Sequence, residues 1–207
     1  MKKGFTLSEL LISVAIIGII ATLAIPTLMG NVSDRAFVNQ IKNMVANIEE
    51  VAQDELISNR TRDLSETDFG DPAELLSDKH FSISKQCTAT DNCWNETYKN
   101  INKSEVTLST DNSVILKNGV VMSYSILEDD NLAGVFTIDL NGVDKPNLAG
   151  RDLYAFYVNS KGKVVDIGSL QEEGVTLATE NNNCKTENDA QFWCYAAIVD
   201  NGWNVGY

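Results

Sequence analysis

Two hydrophobic patterns follow one another in the first sixty residues. From Leu10 to Ser33 run 24 residues without a charge, after the short basic stretch Met1-Lys2-Lys3-Gly4. As a helix that run would span about 36 Å, against about 30 Å for a bilayer's hydrocarbon core. It predicts one membrane-crossing helix, with Lys2 and Lys3 held on the cytoplasmic side by the positive-inside bias. No second run of that length follows, so the remainder is expected beyond the membrane. Pro26 lacks a backbone donor, and Gly30 and Asn31 weaken a helix further. They predict a kink at Pro26 or a melted stretch over 26–31.

From Phe37 the period changes. Phe37, Ile41, Met44, Ile48, Val51 and Glu55/Leu56 recur at spacings of four and three, which is one stripe of an amphipathic helix. Asp34, Lys42, Glu49, Glu50 and Asp54 make its polar face. The stripe is expected to pack on a sheet of the same chain. Asn59-Arg60-Thr61-Arg62-Asp63 ends the helix, and residues 59–80 read as a polar linker with one short helix at Pro72–Leu76. Strand patterns follow. Ser113–Leu116 and Val120–Ile126 flank Lys117-Asn118-Gly119, and Asn-Gly is a strong hairpin signal. Val135–Asp139 is a short apolar run. Leu153–Val158 and Lys163–Ile167 flank a second turn, Asn159-Ser160-Lys161-Gly162. Local hairpins predict an antiparallel meander covered on one face by the long helix.

The expected class is therefore α+β: a long N-terminal helix, transmembrane then amphipathic, packed on a four- to five-stranded antiparallel sheet. The divisions are a leader at 1–4, the helix at 5–58, the linker at 59–80 and a β-rich domain at 81–207. Charge narrows the function. Lys plus Arg number 16 against 29 Asp plus Glu, a net charge of -13. That excludes a general phosphate-backbone binder, so no direct nucleic-acid partner is expected. The single histidine, His80, excludes a His-rich metal site. No nucleophile elbow, phosphate-binding glycine loop or His-containing dyad pattern is present, and no enzyme activity is expected.

A cleavable secretory signal is the competing reading of the N-terminus. The length of the uncharged run, the acid Glu9 at its mouth and the continuing helical face count against it. A plain anchor explains the length but not Glu9, since a carboxylate costs roughly 2.5–3.5 kcal/mol at mid-bilayer.

Gly4-Phe5-Thr6-Leu7-Ser8-Glu9-Leu10-Leu11 resembles the processing motif of type IV prepilins and type II secretion pseudopilins. The resemblance implies that a prepilin peptidase cuts between Gly4 and Phe5 and methylates the new Phe5 amine. It implies an assembly role for Glu9, whose carboxylate would pair with the amine of a neighbouring subunit. It places Pro26 where many members carry a proline in the membrane helix. The implied partners are the peptidase, copies of this chain, other pilins and inner-membrane assembly machinery. The implied course is a single-pass inner-membrane protein with a periplasmic domain, which then enters an extracellular or periplasmic filament. An N-terminal helix on a four- or five-stranded sheet is also that family's fold.

The export topology places Cys87, Cys93, Cys184 and Cys194 in an oxidising compartment. Four cysteines permit three pairings. Local loops Cys87–Cys93 and Cys184–Cys194 are expected, with cross-pairing as the alternative. Neither spacing is that of a zinc knuckle. A loop closed near the C-terminus resembles the exposed disulfide region of type IV pilins.

Asp139-Leu140-Asn141-Gly142-Val143-Asp144, with Asp152, is a candidate calcium loop, because hard cations take several oxygens from a short turn. The spacing departs from an EF-hand, and the preferred reading is an acidic turn that caps a strand and positions Arg151. No other cofactor is expected. Two function classes stand: a structural filament subunit, either pilin or secretion pseudopilin, and an anchored binding module with a groove of Trp94, Trp193, Trp203 and Tyr207.

Overall fold

The computed structural model describes residues 6–88, 93–95, 97–100, 103–106, 108, 112–129, 131–165, 184 and 190–205, without the side chains of 23–33, 129 and 190–193. Residues 1–36 and 37–207 form two units.

Helix α1 covers Leu7–Asn59. It continues through Pro26, Gly30 and Asn31, so of the two expectations, a kink or a melted stretch, the melted stretch is not found. A proline removes one donor, and the strong helix formers around it (Leu23, Ala24, Leu28 and Met29) sustain the helix on either side. In the first unit the apolar side chains from Leu7 to Ile20 are exposed, Leu7 at 77% and Ile17 at 65%. Among the described residues, no helix is long and apolar enough to cross a membrane. The part of the charge-free run with described side chains, Leu10–Thr22, makes only about 20 Å of helix; residues 23–33 complete the run outside that description.

In the second unit α1 buries Ile41, Met44, Ile48, Val51 and Glu55 of the expected stripe, together with Val38 and Ala52 beside it, while Phe37 and Leu56 are only partly buried. The helix ends in a Schellman motif. Arg60 turns left-handed at φ 55°, and its N–H donates to Ile57 O while Thr61 N–H donates to Leu56 O.

The segment after α1 is not a linker. Two 3₁₀ turns, Leu64–Glu66 and Asp68–Gly70, and α2 (Pro72–Leu75) follow, capped by Asp63, Thr67 and Asp71. Their polar caps disguise four buried apolar residues, Leu64, Phe69, Leu75 and Leu76.

The sheet has six strands rather than four or five, in the order β1-β4-β5-β6-β7-β8. They are β1 (Ile83–Cys87), β4 (Ser113–Leu116), β5 (Val121–Asp129), β6 (Leu132–Asp139), β7 (Leu153–Asn159) and β8 (Val164–Val165). Every pairing is antiparallel. A separate two-stranded sheet joins β2 (Tyr98–Lys99) to β3 (Glu105–Val106). The additional strand in this sheet is the edge β1, whose exposed middle, Ser84–Gln86, carries little apolar alternation; the other edge, β8, falls within the expected run Lys163–Ile167.

Register builds the core. Met122 pairs with Ile138, Tyr124 with Phe136, Phe136 with Phe156 and Ile138 with Tyr154, so these side chains share one face. Phe69 and Phe81 meet that face edge-on, with centroids 5.7 Å from Tyr124 and 6.2 Å from Phe136 respectively. The β7–β8 turn lies close against α1. Gly162, at φ 77°, leaves no room for a Cβ beside Ala52 and Gln53, and Gln53 Nε2 donates to Lys161 O at 3.0 Å.

A C-terminal helix, α3 (Ala190–Asp200), lies against β7, with Tyr195 edge-on to Phe156 at 5.0 Å. The structure contains both local disulfides, Cys87–Cys93 and Cys184–Cys194, with Cα separations of 5.7 and 4.7 Å. Cys184 and Cys194 are fully buried and tie α3 to the segment before it. Replacing both by Ser is expected to lower stability by about 3 kcal/mol, the closure term for so short a loop. Urea unfolding of the full chain, followed by Trp fluorescence, measures it.

Candidate functional site

The start of α1 is built from its own sequence. Thr6-Leu7-Ser8-Glu9 is a capping box. Thr6 N–H donates to Glu9 Oε2 at 2.9 Å, Thr6 Oγ1 donates to the same oxygen at 2.7 Å, and Glu9 N–H reaches back to Thr6 Oγ1 at 3.3 Å. Two orphan donors of the first turn are thereby satisfied. Glu9 therefore has a local partner, which its reading as an uncompensated charge overlooks; the Thr-x-x-Glu spacing carries that signal. Gly4 and Phe5 lie outside the described residues. Beyond Glu9 the helix presents apolar side chains all round. Leu10, Leu11, Ile12, Val14, Ile16, Ile17, Ile19 and Ile20 are each more than half exposed. Such a surface is stable only when lipid or other apolar helices cover it.

The acidic loop between β6 and β7 is organised by hydrogen bonds from protein donors. Asp139 and Asp152 are fully buried. Tyr98 Oη donates to Asp139 Oδ2 at 2.6 Å, and Asn141 N–H to Asp139 Oδ1 at 3.1 Å. Asp152 receives Asn147 N–H on Oδ2 and Leu148 N–H on Oδ1, at 2.7 and 2.6 Å. Asn141 Nδ2 donates to the carbonyls of Asp144 and Lys145. Of the four candidate calcium ligands, Asp139 and Asp152 are thus brought near one another, Asn141 braces the turn, and Asp144 is exposed. Arg151 adds a backbone bond to Leu148 O. Burial pushes the Asp139 carboxyl up to about 7, and the neighbouring Asp152 charge adds to the rise. Burial likewise raises Asp152, and burial beside Asp139 raises the Tyr98 phenol. Tyr98 lies 41 residues from Asp139 in sequence, so no local pattern announces the pair.

The two described members of the aromatic groove, Trp94 and Trp203, take part in packing. Trp94 is buried edge-on against Tyr98, and Trp203 sits between Tyr195 and the Lys42 ammonium, 4.7 Å above its ring. Tyr207 and the Trp193 side chain lie outside the described residues.

The molecule is thus an α+β domain carried on an N-terminal apolar helix with a capped, acidic first turn. Residues 1–25 match the family model of the prokaryotic N-terminal methylation motif, the hallmark of type IV pilins and pseudopilins. The chain carries that motif, which supports a pilin- or pseudopilin-like substrate of prepilin peptidase and is typical of membrane-anchored pilins. No curated protein and no solved structure matches the chain.

Proposed function

We propose that the chain is a structural subunit of a type IV pilus-like filament. Prepilin peptidase removes residues 1–4 and methylates the Phe5 amine. The uncharged run Leu10–Ser33 holds the subunit in the inner membrane with residues 37–207 in the periplasm. Assembly then exchanges lipid around Leu7–Ile20 for the same helix of other subunits. The methylation motif on an apolar helix carries this reading. The resemblance extends equally to secretion pseudopilins. The two disulfides favour a pilus subunit or minor pilin, because the major secretion pseudopilins tend to be poorer in cysteine. No catalytic step is assigned to any residue.

Intact-mass analysis of protein from its own host tests the first step. The expected mature chain begins at Phe5 and carries one methyl group on its amine. Losing Lys2 and Lys3 also makes it more acidic than the precursor. A terminus at Met1, or one beyond Ala24, would refute the reading.

A further inference from the structure

Outside these sites, one group of side chains gathers at the C-terminal end of α1. Glu55 sits on the apolar stripe, where a carboxylate needs compensation once buried. Its side chain is 3% exposed. Glu55 Oε2 is held from behind, accepting from Asn59 Nδ2 at 3.0 Å and Asp68 N–H at 3.2 Å. That leaves Oε1 turned toward His80 Nε2 at 3.7 Å. Asp68 Oδ2 lies 2.8 Å from the same imidazole nitrogen. The three donor atoms come from α1, the second 3₁₀ turn and the turn before β1, and all lie within 4.8 Å of one another.

A cation already bridges the two carboxylates of this group. Lys79 Nζ stands 2.9 Å from Glu55 Oε1 and 2.7 Å from Asp68 Oδ2. Its side chain is 59% exposed, so the ammonium reaches in from solvent and can return there when another cation takes its place beside buried Glu55. The carboxylates and imidazole cannot withdraw, because they belong to the packed wall.

We propose that Glu55 Oε1, Asp68 Oδ2 and His80 Nε2 form a three-ligand zinc site that the Lys79 ammonium fills when zinc is absent. The mixed imidazole and carboxylate set suits zinc rather than calcium or magnesium, which take oxygen alone. Tetrahedral zinc with bonds of about 2.1 Å places its ligands about 3.4 Å apart. The two spacings to His80, 2.8 and 3.7 Å, bracket that value, and the third pair, Glu55 Oε1 and Asp68 Oδ2, lies within 4.8 Å. Asn59 and the Asp68 backbone act as outer-shell orienters for Glu55. Asp68, the most open of the three ligands, faces the entry path, and water completes the fourth position. Zinc binding requires neutral His80 with its Nε2 lone pair on the metal; Lys79 stays protonated and moves into solvent. The site would pin the end of α1 to the 3₁₀ segment independently of any filament role.

The test uses the untagged full chain in detergent, stripped of metal, and adds zinc alone at about pH 7.5, since metal binding competes with protons for the ligands. His80 is the only histidine, so its imidazole NMR signals report the site without ambiguity. The expected result is one zinc per chain by equilibrium dialysis, with the His80 signals shifting in step. His80→Gln should weaken zinc at least about tenfold. Lys79→Met should tighten it about three- to tenfold, since it removes the internal competitor. That gain is not a property of chance surface binding, and it requires no change to a ligand. The proposal is overturned if zinc does not bind, if it binds while the His80 signals stay put, if calcium shifts those signals at the same concentration, or if Lys79→Met leaves affinity unchanged or lowers it.

Discussion

Filaments should be lost from both Glu9→Ala and Glu9→Gln, while residues 37–207 still fold and residues 1–4 are still removed. The pair is informative because the structure gives Glu9 two separable jobs. Its carboxylate closes the capping box with Thr6. It is also the sole side-chain charge between Lys3 and Asp34. Glutamine keeps the box, since its carbonyl oxygen can accept the same Thr6 bonds, but removes the charge. Alanine removes both, with a capping loss of about 1 kcal/mol. If filament register depends on a carboxylate meeting the cleaved amine of a neighbouring subunit, Gln fails as badly as Ala. An unpaired amine in an apolar surround is then the larger penalty. If Glu9 serves only to start the helix, Gln assembles normally and Ala shows a partial defect. The measurement is sheared-filament yield beside the membrane-bound subunit level. Glu49→Gln is the control. It forfeits an ion pair with Lys163 but can still accept Val164 N–H, so its effect should stay below about 1 kcal/mol.

The readable parts of this fold are those with a local cause. The stripe from Ile41 to Val51 repeats at helical spacing because one face of α1 is buried throughout. The two hairpin turns announce themselves through Gly119 and Gly162, both left-handed. The segment 59–80 hides its contribution because three capping residues, Asp63, Thr67 and Asp71, give it the composition of a loop. Helix α3 hides for the opposite reason. Tyr195, Ala196, Ala197 and Ile198 are consecutive and all buried, so the helix shows no polar side by which to recognise its period. At the candidate sites the methylation motif is local and plain. The Thr6–Glu9 box is equally local, yet it is masked by the charge that completes it. The Tyr98–Asp139 and Glu55–His80 pairs join residues far apart in sequence. Only an acid within an apolar stripe, Glu55, hints that something must come to meet it.

The buried loop carboxylates give the second large effect. Asp139 is fully buried, and burial lifts its carboxyl from 3.8 to about 7. The folded state therefore holds a proton that the unfolded chain releases near pH 4. For a raised acid the contribution to stability is favourable at low pH, declines as pH rises from about 4 to about 7, and stays at its worst above that. The full cost of ionising it is roughly 4 kcal/mol. Glu55 and Asp68 act in the opposite sense. Burial alone would raise Glu55, but Lys79 and the Asp68 amide hold it below the ordinary range; Lys79 and His80 do the same for Asp68. Their contribution falls away only below about pH 4.5, outside the window that Asp139 governs. Asp139→Asn mimics the protonated form. Its carbonyl can accept the Asn141 amide, and its amide nitrogen can donate to the Tyr98 oxygen. The variant should therefore melt about 8–16 °C above wild type at pH 8, with the difference shrinking to about a third of that at pH 5 and vanishing near pH 4. The same variant separates a proton from a cation. If calcium fills the loop, adding it at pH 8 raises the wild-type melting temperature and not that of Asp139→Asn, because the ion takes the charge that the proton otherwise neutralises. If neither calcium nor pH between about 5 and 8 distinguishes the two proteins, then Asp139 stays ionised in the fold, and its bonds to Tyr98 and Asn141 outweigh its burial.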